Sequence, residues 1–309
     1  MKDAEFCWMD GKVLRTEEAL CSALSPMHLG VFEGIRAYVQ GDILSRGKLA
    51  AFRWHDHINR LWRSARVMGI EIPFSKEELF RGLRDSLAAN GYDSNTYISP
   101  RVFPRNYISS GLTEKEVRVI MRVIPEETLL DVGNSRFEGK FRINVSSWRR
   151  ISSDSLPPQN KSFANYANSR LAELESQRLG FDDCLFLDSR GLVAEGGGSC
   201  ILGIKDGTLV TPPVSASVLK SITRDSILRI AREDLVLKVE ERDLSRIELY
   251  EMDEVFMCGT WAEVRPVKSI DDLEFGKEYP GPVTRKIANY FASAVTGKEP
   301  KRASWLTPL

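Results

Sequence analysis

A lysine stands in an irregular, proline-containing run, Pro157-Pro158-Gln159-Asn160-Lys161-Ser162, just before a predicted helix, with Tyr166 five residues further on. A lysine amine attacks a carbonyl only after losing its proton, which burial or a neighbouring cation favours. Further along, Ser221-Ile222-Thr223 opens another predicted helix, whose first-turn amides point at an anion. The common alternatives are poorly supported. There is no G-x-x-x-x-G-K-[ST] and no G-x-S-x-G. Gly196-Gly197-Gly198 lies between two strand-like segments rather than between a strand and a helix, so it is a weak dinucleotide signal. His55 and His57 are two apart, do not share a helix face, and have no third ligand near in sequence, which argues against zinc.

These residues need elements to hold them. Ala4 to Leu14 alternates around Asp10-Gly11, a hairpin signal. Val31–Val39, Leu49–Arg53, Tyr97–Phe103 and Val117–Ile124 read as strands. Ile58, Leu61, Trp62 and Ala65 recur at helical spacing between Asp56 and Ile70, and a second helix runs from Ser75 to the Asn90-Gly91 stop. Pro125 to Lys140 is polar and contains glycine, as a linker does. Beyond it, Arg142–Trp148 is a strand, Asn165–Leu179 a helix, and Cys184–Leu187 with Leu192–Glu195 a hairpin; a helix near Ile222–Arg232 and a strand at Glu254–Cys258 follow. Many short strands with few helices between them predict an α+β fold rather than a doubly wound parallel sheet. The 309 residues suffice for two domains, expected as 1–125, a linker at 126–140, and 141–309.

Forty-three basic residues balance forty-three acidic ones, which argues against a nucleic-acid partner and against electrostatic anchoring to a membrane. No apolar run reaches the length of a membrane span, and no apolar segment follows the first five residues as in a signal peptide. Five cysteines (Cys7, Cys21, Cys184, Cys200, Cys258), scattered and odd in number, fit reduced thiols and a cytoplasmic setting.

Taken in order, Val31-Phe32-Glu33-Gly34-Ile35-Arg36, His57-Ile58-Asn59-Arg60-Leu61, the segment around Lys161, Gly180-Phe181-Asp182-Asp183-Cys184-Leu185-Phe186-Leu187-Asp188, Gly191-Leu192-Val193-Ala194-Glu195-Gly196, Thr211-Pro212-Pro213, Ser221-Ile222-Thr223-Arg224-Asp225 and Asp253-Glu254-Val255-Phe256-Met257-Cys258-Gly259-Thr260-Trp261-Ala262-Glu263 resemble the class IV aminotransferases, the pyridoxal-phosphate enzymes of fold type IV, and most closely their branched-chain amino-acid members. The resemblance covers nearly the whole chain. It implies a small α/β domain and a larger β-barrel-like domain that binds pyridoxal 5′-phosphate. By motif match, Lys161 binds the cofactor aldehyde and moves the substrate proton. Glu195 faces the ring nitrogen, where a charge-assisted hydrogen bond contributes about 1.5–3 kcal/mol, and its three following glycines would let backbone approach the ring. Arg60, Ile222, Thr223, Gly259 and Thr260 bind the phosphate; an exposed helix terminus supplies only about 0.3–1 kcal/mol, so several donors are needed. Tyr166 bonds the phenolic oxygen. Phe32, Tyr97, Arg101, Thr260 and Trp261 are the expected substrate contacts. The resemblance also implies a homodimer or higher assembly.

The substrate side departs from the family pattern. Tyr97 is present, but Ser99 stands where branched-chain enzymes carry an arginine. Residues two apart on a strand share a face, so Arg101 lies on the same side and is the candidate to compensate. The segment Met27-His28-Leu29-Gly30 is shortened, with Leu29 in place of a pocket tyrosine, and Ser221 replaces a usual glycine. The expected reaction is ping-pong transfer of an amino group from a branched-chain L-amino acid to 2-oxoglutarate. A D-amino-acid aminotransferase, an R-selective amine transaminase and aminodeoxychorismate lyase are the rivals on the same fold.

Overall fold

The computed structural model describes residues 4–20, 29–41, 49–104, 117–126 and 140–309. Cys21, Met27, His28 and most of the expected 126–140 linker lie outside them. The chain forms two compact units. The first comprises Met1–Gly133, Asn160–Ala164 and Ser293–Leu309; the second comprises Asn134–Gln159 and Asn165–Ala292. A single cut at 126–140 therefore leaves two excursions, and one of them carries Lys161.

In the first unit, β1 (Phe6–Met9) and β2 (Lys12–Arg15) form the hairpin expected from Asp10-Gly11. Both turn residues have positive φ, 49° and 92°, the conformation that matches the twist of paired strands. Helix α1 (Thr16–Leu20) follows. The run expected as one strand over 31–39 is two, β3 (Val31–Phe32) and β4 (Ile35–Val39), interrupted at Glu33-Gly34. With β5 (Leu49–Phe52), β6 (Thr96–Pro104), β7 (Val117–Pro125) and the C-terminal strand Leu306–Pro308 they make one sheet. Its order is the C-terminal strand, β5, β4, β6, β7, β1, β2, with β3 paired to β6.

Helices α2 (Trp54–Val67) and α3 (Lys76–Asn90) cover one face of this sheet. Ser75 and Glu78 form a reciprocal capping box, and Gly91 closes the helix at φ 64°. The stripe Ile58, Leu61, Ala65 and the stripe Leu79, Leu83, Leu87 pack on Ile35, Ala37, Ile98, Val102, Val119, Met121 and Val123. Because Ile98 and Val102 point into this core, Tyr97, Ser99 and Arg101 stand on the opposite face of β6.

The second unit contains β8 (Arg142–Arg149), α4 (Asn165–Arg178), β9 (Asp183–Leu187), β10 (Val193–Gly196), β11 (Cys200–Lys205), β12 (Thr208–Thr211), α5 (Ile222–Arg229), β13 (Val239–Glu241), β14 (Glu254–Gly259), β15 (Glu263–Val267), β16 (Ser269–Ile270) and β17 (Leu273–Glu274). The ten strands run β13, β12, β11, β10, β9, β8, β16, β17, with β14 on β11 and β15 on β14. Helix α4 connects the parallel pair β8 and β9, and most other pairs are antiparallel, in keeping with α+β. Among the described residues the sheet branches at β11, ends at β13, β15 and β17 and does not close, so the barrel-like shape implied by the resemblance is an open mixed sheet.

Candidate active site

In the first unit the lysine segment is held by backbone pairing. Val31 bridges Ser162, the Phe32 amide donates to the Lys161 carbonyl at 3.1 Å, and the Phe163 amide donates to the Gly30 carbonyl at 3.0 Å. Lys161 therefore lies directly across from Phe32. On its other side Phe32 pairs with Arg101 of β6. Residues opposite each other on neighbouring strands share a face, so Lys161, Phe32 and Arg101 form one cross-strand row. The Lys161 Nζ is 4.7 Å from the Phe32 ring centre, Phe32 stacks on Phe163 at 4.5 Å, and the Arg101 guanidinium lies 5.8 Å from the Phe163 ring. Arg101 Nε donates to Ser99 Oγ at 3.4 Å, so the serine at the expected arginine position helps to orient the arginine two residues on. Tyr97 is on the same face, opposite Arg36, which pairs with Glu126 at 2.8 Å. Glycine is required at position 34, since a Cβ there would fall on the Tyr97 hydroxyl.

Helix α2 brings a second group to this segment. Ser64 Oγ accepts the Lys161 amide at 3.2 Å, and Arg60 lies one turn earlier on the same helix face. Arg60 is buried and bonds Glu33 bidentately, Nε to Oε1 at 2.6 Å and Nη2 to Oε2 at 2.7 Å. His57 Nδ1 donates to Glu33 Oε2 at 2.8 Å. Burial alone would raise the Glu33 carboxyl, but the Arg60 charge and the bonds from Arg60 and His57 bring it down to about 2. Burial lowers the His57 imidazole, against Glu33 and with the Arg60 and Lys161 charges. Both groups bind protons more weakly folded than unfolded, so acid favours unfolding. The His57 contribution begins to be lost as pH falls below 6.5. The Glu33 contribution, present in full above pH 4.5, is lost towards pH 2 and amounts to about 3 kcal/mol. Urea unfolding across that range should show the loss in wild type and a shallower pH slope in Glu33→Gln; equal slopes would contradict this assignment.

The second unit positions Glu195. It is buried at the end of β10, and its Oε1 accepts Arg150 Nε at 2.9 Å and Nη2 at 2.8 Å. Its Oε2 accepts the Leu219 amide at 3.1 Å, with Cys200 Sγ at 4.0 Å. Leu219 lies just before α5. The residue that caps this helix is Ser221, whose side chain accepts the Arg224 amide, so the substitution of the usual glycine supplies the cap, and Ile222 and Thr223 occupy the buried first turn. Gly259 ends β14 beside Gly198, and a Cβ there would lie 3.3 Å from the Gly198 carbonyl oxygen. Thr260 and Trp261 form the following turn, with Trp261 exposed. Tyr166 is in the first turn of α4, on the face where Ser169 Oγ donates to the Gly197 carbonyl at 2.5 Å. The glycine run is more restricted than expected. Cβ atoms at Gly196 and Gly197 would collide with Met257 and Glu173 of the protein itself, and only Gly198 faces open space.

Residues 30–270 match the family described as amino-transferase class IV. The chain belongs to the class IV aminotransferases. It is 36% identical to the branched-chain-amino-acid aminotransferase of Salmonella typhimurium over 100% of this chain and 98% of that protein. Among solved structures, it is similar to the branched-chain amino acid aminotransferase of Thermobaculum terrenum in its PLP form, with TM-score 0.89 and 35% identity over 100% of this chain and 99% of that one. It is likewise similar to the branched-chain aminotransferase of Thermoproteus uzoniensis with norvaline, with TM-score 0.88 and 36% identity over 98% of each chain.

The residues of this class IV aminotransferase fit the pyridoxal phosphate that the resemblance implies. An aldehyde needs an amine, present in Lys161. For a phosphate, the first unit carries the Arg60 guanidinium and the second, independently, the first-turn amides of α5. A protonated ring nitrogen needs a carboxylate acceptor, and Glu195 is oriented by groups that all donate to it. Gly198 faces open space beside Gly259. Sequence reasoning missed Glu33, His57, Ser64 and Arg150, because nothing local marks a side chain whose partner lies tens of residues away. Among the described residues no His, Cys, Asp and Glu group could hold a metal ion, and no helix is long and apolar enough to cross a membrane.

Proposed function

We propose that this class IV aminotransferase moves an amino group from a branched-chain L-amino acid to a 2-oxo acid such as 2-oxoglutarate, with pyridoxal 5′-phosphate as cofactor. The observation that carries the reading is the row Lys161–Phe32–Arg101: an amine, an apolar wall and a guanidinium on one face. Its 36% identity to a named branched-chain enzyme supports the choice of donor. When bound, the cofactor supplies an aldehyde that carries the amino group and a ring that withdraws electrons. Lys161 holds the aldehyde and moves the proton at the substrate carbon. Arg60, Ile222, Thr223, Gly259 and Thr260 bind the phosphate, Tyr166 bonds the phenolic oxygen, and Glu195 holds the proton at the ring nitrogen. Phe32 shapes the side-chain pocket, and Tyr97, Thr260 and Trp261 contribute to substrate binding. Arg101 takes the substrate carboxylate in place of the arginine absent at Ser99.

The enzyme acts as a homodimer or higher assembly in the cytoplasm, without a nucleic-acid or membrane partner. The buried free thiols Cys7, Cys184, Cys200 and Cys258 support the compartment, and the balanced charge supports the partner choice.

A panel of amino donors with 2-oxoglutarate tests the reading. Glutamate should form from leucine and not from D-alanine or 1-phenylethylamine. Turnover of D-alanine or 1-phenylethylamine but not leucine, or pyruvate release from aminodeoxychorismate, would replace it. In the same assay Arg101→Ala should raise KM for both amino and keto acid roughly tenfold or more, since a charge-assisted hydrogen bond contributes about 1.5–3 kcal/mol. Unchanged KM values would remove Arg101 from the role.

A further inference from the structure

Glu33 carries no role in the proposed chemistry, yet it is a fully buried carboxylate with three strong donors converging on it. A buried ion pair is seldom more stabilising than apolar residues of similar volume, so stability alone is a poor reason for it. Its geometry is informative. The Arg60 fork is gripped at Nε and Nη2, which fixes the plane of the guanidinium as a single contact could not. His57, three residues earlier on α2, bonds the same Oε2 and so fixes the plane of the carboxylate. The Glu33 amide donates to the Pro100 carbonyl at 2.9 Å, tying the break between β3 and β4 to β6. Ser64, four residues after Arg60, binds the Lys161 amide, so the helix face that carries the guanidinium is also registered to the lysine segment.

We propose that Glu33, steadied by His57, is a positioning residue that sets the orientation of Arg60 for binding the phosphate of a phosphorylated aldehyde. This rests on the assignment of Arg60 to the phosphate. The pair would trade some of the guanidinium's net charge for direction, since Glu33 stays ionised through the physiological range. Its effect should therefore appear as discrimination between phosphorylated and unphosphorylated ligand rather than as general affinity.

The test measures dissociation constants of pyridoxal phosphate and of pyridoxal for the full chain after its cofactor has been resolved, by equilibrium dialysis. Glu33→Asp keeps the charge but shortens the side chain by one methylene, so it cannot meet both guanidinium nitrogens and the imidazole. The ratio of the pyridoxal to the pyridoxal-phosphate constant should fall at least about tenfold, with the pyridoxal constant within about twofold of wild type. An unchanged ratio, or equal weakening of both ligands, overturns the proposal. Arg60→Lys separates the two levels: if it lowers the ratio and Glu33→Asp does not, Arg60 binds phosphate without the positioning device. If neither lowers it, both assignments fall. Should Glu33→Asp not fold, His57→Phe decides, with an expected fall of about threefold and rejection if the ratio is unchanged.

Discussion

Lys161→Ala, produced with pyridoxal phosphate in the medium, should show no near-visible absorbance band and no borohydride-stable adduct, and its transamination rate should fall by more than about 10³-fold. General acid–base catalysis by a placed side chain alone contributes roughly 10²–10⁴-fold, and this residue is proposed also to hold the cofactor aldehyde. The backbone around it is pinned by the Phe32 and Phe163 pairings and by Ser64, so removing the side chain beyond Cβ leaves its segment in place. Loss of the adduct can then be read as loss of the amine rather than of the loop. An adduct trapped at a different lysine, with activity retained, would end the Lys161 assignment and the enzyme reading that depends on it.

Glu195→Gln tests the proposed ring-nitrogen contact. The amide keeps the size of the carboxylate but removes its charge. It also presents an N–H₂ where Arg150 or Leu219 now donates, so one existing bond must be lost. A charge-assisted hydrogen bond of about 1.5–3 kcal/mol corresponds to roughly tenfold to a hundredfold in rate. The expected result is a fall in kcat of that order in both half-reactions, with pyridoxal phosphate retained on the protein. Arg150→Met should produce a smaller fall in the same direction, because it loosens the carboxylate without removing it. If kcat were unchanged in Glu195→Gln, the ring nitrogen would have another partner.

Several elements were legible because their signals are local. Asp10-Gly11 takes two positive φ angles that suit those residues, and it became the hairpin. Ser75 with Glu78 satisfies its own helix end, and Gly91 supplies the left-handed stop. The alternation of β6 already placed Arg101 on the side of Tyr97, and the Ser99 contact adds how that arginine is oriented. Where local signals misled, a distant partner had intervened. Val31 to Val39 alternates like one strand, but the chain breaks at Glu33 to deliver a carboxylate to α2, and Gly34 yields its side-chain space to Tyr97. The three glycines after Glu195 read as an open approach for a ligand, whereas Met257 and Glu173 already occupy two of those positions.

By itself, the sequence determined the family resemblance, which names Lys161, Arg60 and Glu195 as the candidates, and the periodicities that point to α+β. Only the tertiary structure decided what each of those groups leans on. Glu33 grips Arg60 across 27 positions and Arg150 holds Glu195 across 45. The row Lys161–Phe32–Arg101 draws on three separate segments. The reason is physical: period and turn chemistry report backbone conformation over a few residues, while the partner of a buried charge is set by which strands pair and in what register. That register is chosen by the packing of Ile98, Val102 and their core neighbours, not by the charged residues themselves.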